Sequence, residues 1–185
     1  MVDDIDFNVN IIMDMGEMTH SSPNYEIVKE GDYFRKDLVF IMPSNDSQKW
    51  IMTVTLMNDE SLTNSYTFDV QQSERLQTFM YNEQMHFVSL TNLNSPIVGM
   101  NDIGISLHKR ESMMSWPNVD NVNLEIEPWM PGMDHGSPNN VNPVFIEKGL
   151  YSGKVNFTMT GEWTVTVSII ENGNQIGQVV FPIVF

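Results

Sequence analysis

The stretch that decides the fold is WTVTVSII, residues 163–170. Apolar and polar residues alternate strictly along it, and a period of two places them on opposite faces of an extended chain. This pattern is typical of an antiparallel strand with one face buried and one face in water. The apolar positions are Trp163, Val165, Val167 and Ile169.

A similar stretch, WIMTVTLMN at residues 50–58, also begins with Trp and then alternates. Further matches lie on both sides of the two stretches: VDDIDFNV (2–9) with VDNVNLEI (119–126), and EGDYFRKDLVFIM (30–42) with KGLYSGKVNFTM (148–159). The order of the matches predicts an internal duplication. It also predicts equivalent buried positions for Trp50 and Trp163.

Turn residues separate the alternating segments, and no segment has the 3.6-residue period of an amphipathic helix. We therefore predict an all-β chain of tandem immunoglobulin-like β-sandwiches. The predicted domains are 1–72, a partial sandwich, and 75–185, a complete one, with the polar stretch Gln71–Glu74 between them.

Strand patterns at 79–90 and 96–109 precede the second copy and have no counterpart before the first. We therefore expect residues preceding Met1 in the natural protein to supply the missing strands. Without them the first sandwich is expected to stay thin or to dimerise through its open edge. The core side chains exposed in that case are Phe7, Val9, Phe40 and Val54.

Composition narrows the function. Nine basic residues face 24 acidic ones, and the formal net charge of −15 argues against binding to nucleic acid or to an anionic membrane surface. The absence of cysteine removes disulfides, thiolate nucleophiles and cysteine-based zinc sites. No serine-nucleophile, phosphate-loop or dinucleotide motif is present, so we predict that the protein is not an enzyme.

Two short segments contain candidate metal ligands: WMPGMDHGSPNN (129–140) and MDMGEMTHSSPN (13–24). In the second copy, Pro then Gly between Met130 and Met133 predicts a type II turn that brings the two thioethers together. Met133 and His135 are two residues apart, and an extended backbone places them on one side. Met130, Met133 and His135 are thus predicted to face one point.

The first copy offers Met15, Met18 and His20, with Met13 as a third sulfur. Gly16 suits a turn that requires a positive φ at that position. Thioether and imidazole together select soft or borderline ions, so we predict copper, best as Cu(I) and otherwise as Cu(II). Because its turn lacks proline and is more mobile, the first site is predicted to be the weaker.

A structural use of these residues is the alternative. Methionine is a flexible filler, and the two loops could use it only for packing. We expect Met42 and Met159 to pack rather than to bind metal. We also expect His86 and His108 to be ordinary surface or hydrogen-bonded histidines, with His108 on the polar face of its strand.

The motifs of the second copy, in their order, resemble the YtkA-like and FixH-like domains of bacterial exported proteins. The matching positions are Met130, Pro131, Met133, His135, Gly149, Tyr151, Gly153, Phe157, Met159, Gly161 and Trp163. The forward stretch SPIVGMNDIGISL, 95–107, is similar to that family's first half. The first copy departs from the pattern, with Ser21 in place of Gly136 and no proline in its turn.

The resemblance implies an immunoglobulin-like sandwich on the outer side of the cytoplasmic membrane, periplasmic or at the cell surface. A lipid anchor on a segment outside this sequence is one way in which such a protein is held there. It also implies a role in copper handling, sometimes tied to oxidase assembly. We therefore predict an exported copper-binding protein that transfers or sequesters the metal, with a protein partner in copper handling. The alternative is a non-catalytic structural or adhesive module.

Overall fold

The computed structural model describes residues 6–185, apart from the side chain at position 60. This part of the chain is all-β, which confirms the predicted fold class. The strands are β1 (Phe7–Asp14), β2 (Thr19–Ser21), β3 (Asn24–Glu30), β4 (Tyr33–Leu38), β5 (Trp50–Leu56), β6 (Asp59–Phe68), β7 (Leu76–Tyr81), β8 (Gln84–Leu90), β9 (Gly99–Lys109), β10 (Asn123–Met130), β11 (His135–Gly136), β12 (Val141–Glu147), β13 (Leu150–Phe157), β14 (Glu162–Glu171) and β15 (Asn174–Val184). Residues 6–185 contain no helix long and apolar enough to cross a membrane.

The chain forms two compact units. The first comprises Met1–Ser73 together with the short segment Ser112–Trp116, and the second comprises Glu74–Glu111 and Pro117–Phe185. The short segment lies against β2, because the backbone nitrogen of Ser21 donates to the carbonyl of Met113 over 3.0 Å. The sequence patterns did not predict this assignment.

The second unit is a sandwich of two antiparallel sheets. One sheet has the order β11-β10-β14-β15 and the other β12-β13-β9-β8-β7. The alternation in 163–170 turns one face of β14 towards the other sheet, and each apolar side chain on that face is at most 1% exposed. Complete burial of one such side chain stabilises the fold by roughly 1.5–3 kcal/mol. The facing row on β9 is Ile103, Ile105 and Leu107.

Two-residue turns set the register of the outer hairpins. Asn82 and Glu83 connect β7 to β8 with φ of 48° and 62°, and Asn172 and Gly173 connect β14 to β15 with φ of 50° and 81°. Positive φ at both positions matches the right-handed twist of the flanking strands. The region 79–90, predicted as one strand region, is therefore part of a hairpin.

The first unit has the same central pairing but fewer strands. Its larger sheet has the order β2-β1-β5-β6, and β3 pairs only with β4. Trp50 opens β5 and is fully buried, as Trp163 is at the start of β14. Within residues 6–73 no strand takes the position that β9, β8 and β7 have in the second unit.

The core of the first unit is correspondingly small. Its buried cluster is Ile11, Met13 and Trp50, with Val9 and Phe40 partly buried against it. On β6, Tyr66 is 51% exposed, whereas Phe181 at the matching position of β15 is 1% exposed. In the second unit this face of the sheet packs against β7. The equivalent face of the first unit is therefore largely exposed to solvent.

His108 is a buried, hydrogen-bonded histidine, which is one of the two alternatives predicted for it. It lies on the second face of its strand, as predicted, but that face is also covered, and His108 is 1% exposed. Its Nδ1 lies 3.2 Å from the hydroxyl of Ser106, and burial lowers the pKa of His108 to about 4. Alternation shows which residues share a face, but it does not show whether a face is covered.

His86 is buried as well, at 4% exposure. Its ring stacks on Phe79 at 4.8 Å, and its Nδ1 donates to the carbonyl of Gln84 over 3.1 Å. Desolvation by burial lowers the pKa of His86. His86 is thus a buried, hydrogen-bonded histidine, which is one of the two alternatives predicted from the sequence.

Candidate metal centre

The hairpin of β1 and β2 brings four soft donors to one face. Met13 pairs with His20, and the backbone nitrogen of Met15 donates to the carbonyl of Met18 over 2.9 Å, so these two also lie opposite each other. Residues directly opposite in antiparallel strands point to the same side of the sheet. The turn between them needs the predicted positive φ at Gly16, which is 86°.

Burial of these donors decreases towards the turn. Met13 is fully buried and His20 is 2% exposed, whereas Met15 is partly buried and Met18 is 58% exposed. The imidazole therefore lies at the buried end of this face of the hairpin, and the thioethers become more exposed towards the turn.

Two contacts fix the orientation of His20. Its Nδ1 lies 3.0 Å from the carbonyl oxygen of Ser21, and its Nε2 lies 3.0 Å from the sulfur of Met42. A carbonyl only accepts, so Nδ1 carries the proton and, in the neutral ring, Nε2 presents its lone pair to the thioether. Met42, which was expected only to pack, thus contacts the imidazole.

An aromatic ring holds this arrangement from the side. Trp50 meets the His20 ring edge-on, with centroids 5.1 Å apart, and donates from Nε1 to the carbonyl of Met42 over 3.0 Å. Trp50 thus joins residues from β2, β5 and the segment after β4.

The second unit pairs Met130 with His135 across β10 and β11. The predicted turn between them forms, because the backbone nitrogen of Met133 donates to the carbonyl of Met130 over 3.1 Å. The type II assignment is wrong: the left-handed residue is Asp134, with φ of 54°, and not Gly132. A four-residue connection needs its left-handed residue just before the returning strand.

This backbone separates Met133 from the other two candidates. Met133 and His135 would share a side only if the residue between them were extended, and Asp134 is not extended. Met133 is 60% exposed, whereas Met130 is 4% exposed. The structure therefore brings Met130 and His135 together and leaves Met133 in solvent.

The surroundings of His135 repeat those of His20. Its Nδ1 donates to the carbonyl of Gly136 over 2.8 Å, and its ring meets Trp163 edge-on at 5.6 Å. Trp163 donates from Nε1 to the carbonyl of Met159 over 3.1 Å. Met159 is 39% exposed, so the expectation that it packs into the core was wrong.

Register corrects the predicted equivalence of the methionines. Met13 pairs with both His20 and Trp50. Met130 pairs with His135. The residue before Met130 is Trp129, and its partner is Thr164, the residue after Trp163. In this register Met130 lies opposite Trp163. Met13, rather than Met15, therefore occupies the position of Met130, and the first hairpin loop is longer.

Residues 6–185 hold no group of three or more His, Asp or Glu side chains that could bind a metal ion.

A family model described as YtkA-like matches residues 83–168. The match contains the strands from β8 to β13 and the Met130–His135 loop. It does not reach residues 1–73, so the predicted tandem copies and the FixH-like resemblance stay predictions. Searches of curated proteins and of solved structures give no significant match. Residues 83–168 thus form a YtkA-like domain, and it is this part of the chain that belongs to the family.

Proposed function

We propose that the protein binds Cu(I) outside the cytoplasm through a histidine and thioether ligands in each unit. The observation that supports this most is shared by His20 and His135. In both, Nδ1–H donates to the carbonyl of the following residue, so the lone pair of the neutral ring lies on Nε2, which is the proposed ligand atom. Histidines that bind metals use their other ring nitrogen in this way, and the hydrogen bond fixes tautomer and ring orientation.

The ligand set favours copper over the commoner metals. Thioether and imidazole suit Cu(I), zinc sites are built from thiolate, imidazole and carboxylate, and calcium and magnesium require oxygen. The chain has 15 methionines and no cysteine, which suits a protein that handles soft ions where thiols oxidise. The net charge of −15 raises the local concentration of cations.

The proposed role is to transfer or sequester copper, or to support oxidase assembly, in the periplasm or at the cell surface, through a protein partner and without catalysis. The exposed Met133 would then join Met130 and His135 when the ion arrives. Exposure suits exchange, because an ion held partly by a mobile surface ligand can pass to another protein.

A structural or adhesive module is the second candidate. Met13 and Met130 are as buried as ordinary core residues, and each belongs to a buried cluster that contains a tryptophan. In that case the histidines only cap the hairpins, and the protein takes up no copper at micromolar concentrations.

An anaerobic titration of the whole chain with Cu(I), in competition with a coloured chelator, separates the two candidates. We expect two bound ions per chain and the loss of one in His135→Ala. Met133→Leu keeps volume and apolarity. We expect it to weaken Cu(I) binding at the same site, but by less than His135→Ala does. Met80→Leu is the matched control, because Met80 is 58% exposed on β7, away from the loop.

If the parent binds no Cu(I), the loops are structural and the second candidate holds. If His135→Ala binds as many ions as the parent, His135 is not a ligand and the Met130–His135 loop is structural.

A further inference from the structure

We propose that the first unit contains a closed Cu(I) site whose ligands are His20 Nε2 and the sulfurs of Met42 and Met13. This site is the tighter and slower-exchanging of the two, which reverses the ranking expected from the sequence. The proposal rests on the proposed copper function and lies outside the residues matched by the family model.

The contact between His20 and Met42 carries the proposal. Nε2 and the sulfur are 3.0 Å apart, less than the ~3.5–4.0 Å at which uncharged atoms pack best. The proton of the neutral ring is already used by the carbonyl of Ser21, so two lone pairs face each other. A soft cation between them turns this repulsion into two bonds.

The separation also fits a bound ion. Lengths of ~2.0 Å to imidazole nitrogen and ~2.3 Å to sulfur, as found at zinc, place the two atoms roughly 3.0–3.7 Å apart for angles between a right angle and the ~120° of an ion with three ligands. The Met42 sulfur therefore needs to move by no more than about 0.7 Å on loading. Little ordering remains to be done, which favours tight binding.

Met13 supplies the third donor. It pairs with His20 across the hairpin, and directly opposite residues have Cβ atoms about 4.5–5.5 Å apart. Met13 is fully buried and His20 is 2% exposed, so an ion between them is removed from water. A neutral ligand set in such a place favours the single charge of Cu(I) over the double charge of Cu(II) or Zn²⁺.

The thioethers towards the turn provide the access route. Met18 at the hairpin tip is 58% exposed, and Met15, which lies opposite it across the turn, is partly buried. We infer that Met18 captures the ion and that His20 and Met42 retain it. Removal of the Met18 sulfur should then slow loading without changing affinity.

The test uses the whole chain carrying His135→Ala, so that only the first site remains. In a Cu(I) competition titration, Met42→Leu is expected to weaken binding by roughly tenfold or more, which corresponds to about 1.4 kcal/mol. Met18→Leu is expected to keep the affinity of the His135→Ala parent and to lengthen the loading time in a stopped-flow measurement. Leu preserves volume and apolarity at both positions.

Methionine-methyl NMR of the unmodified chain gives a second readout that does not depend on folded variants. On addition of Cu(I), the methyl signals of Met42 and Met13 are expected to shift and that of Met18 to stay near its free position. Binding that Met18→Leu abolishes and Met42→Leu leaves intact would overturn this site but not the proposed function. No Cu(I) binding by the unsubstituted chain would overturn both.

Discussion

At the scale of single residues, burial of His108 predicts acid sensitivity. Its pKa falls from an ordinary 6.5 to about 4 on folding, so the neutral ring is favoured in the folded state. The stability that depends on it is complete above pH 6.5 and is lost as the pH falls towards 4. We expect about 2 kcal/mol to be lost between pH 7 and pH 5 from this group.

Urea unfolding of the parent and of His108→Gln at both pH values measures this loss. The variant should be less stable at pH 7 but should lose less between pH 7 and pH 5. The remaining loss includes His86, whose pKa is lowered in the same direction. Equal losses in parent and variant would show that His108 does not set the acid limit.

Two glycines give a matched pair for backbone strain. Gly149 has φ of 73°, and an added Cβ would lie 2.5 Å from the carbonyl oxygen of Leu107; Gly173 has φ of 81° and open space around it. Gly173→Ala should cost only the conformational strain, about 1–2 kcal/mol. Gly149→Ala should cost clearly more because the clash is added, as thermal unfolding will show. Equal shifts in Tm would mean that the backbone relaxes around Gly149.

Side-chain contacts between residues far apart in the sequence could not be predicted from it. The pairing of His20 with Met42 joins residues 22 positions apart through a loop, and no periodicity reports such a contact. The local signal of Pro131-Gly132 predicted a turn correctly but the wrong type, because the length of the connection set the backbone. Candidate ligand types were therefore predictable, whereas the set that converges was not.

At the scale of strands, β6 and β15 are equivalent strands whose side chains differ in burial and therefore in their contribution to stability. Tyr66 and Phe68 are 51% and 37% exposed, whereas Phe181 and Ile183, at the matching positions, are 1% and 6% exposed. Tyr66→Thr should therefore change the free energy of unfolding by less than about 1 kcal/mol, and Phe181→Ala should cost about 3–5 kcal/mol. A large loss for Tyr66→Thr would indicate that the face of β6 is covered in solution.

Strands were the most predictable elements. The alternation that begins at Trp163 and at Trp50 identified β14 and β5, because a strand that is buried on one face has a period of two in its sequence. The hairpin of β3 and β4 was less visible, since a strand pair that buries little leaves little pattern. The same physics explains why the burial of His108 was not predicted: β9 is central and covered on both faces.

At the scale of the whole molecule, the two units differ in core size. Trp50 anchors a buried cluster of three residues, whereas Trp163 belongs to a cluster that includes both sheets of its sandwich. We expect the first unit to unfold at a lower urea concentration than the second. Because a ligand stabilises the state that binds it, Cu(I) should raise the first transition. Fluorescence of Trp50 and Trp163, each isolated by replacing the other tryptophans with Phe, measures the two transitions.

The central claim is that each histidine Nε2 binds Cu(I) together with thioether sulfur. X-ray absorption spectroscopy of the copper-loaded chain tests it most directly, because nitrogen and sulfur scatter differently. We predict one imidazole nitrogen and at least one sulfur around each copper, with the nitrogen lost from one site in His20→Ala and from the other in His135→Ala. A spectrum with oxygen and nitrogen ligands only, or copper that leaves the protein on gel filtration, would contradict the claim.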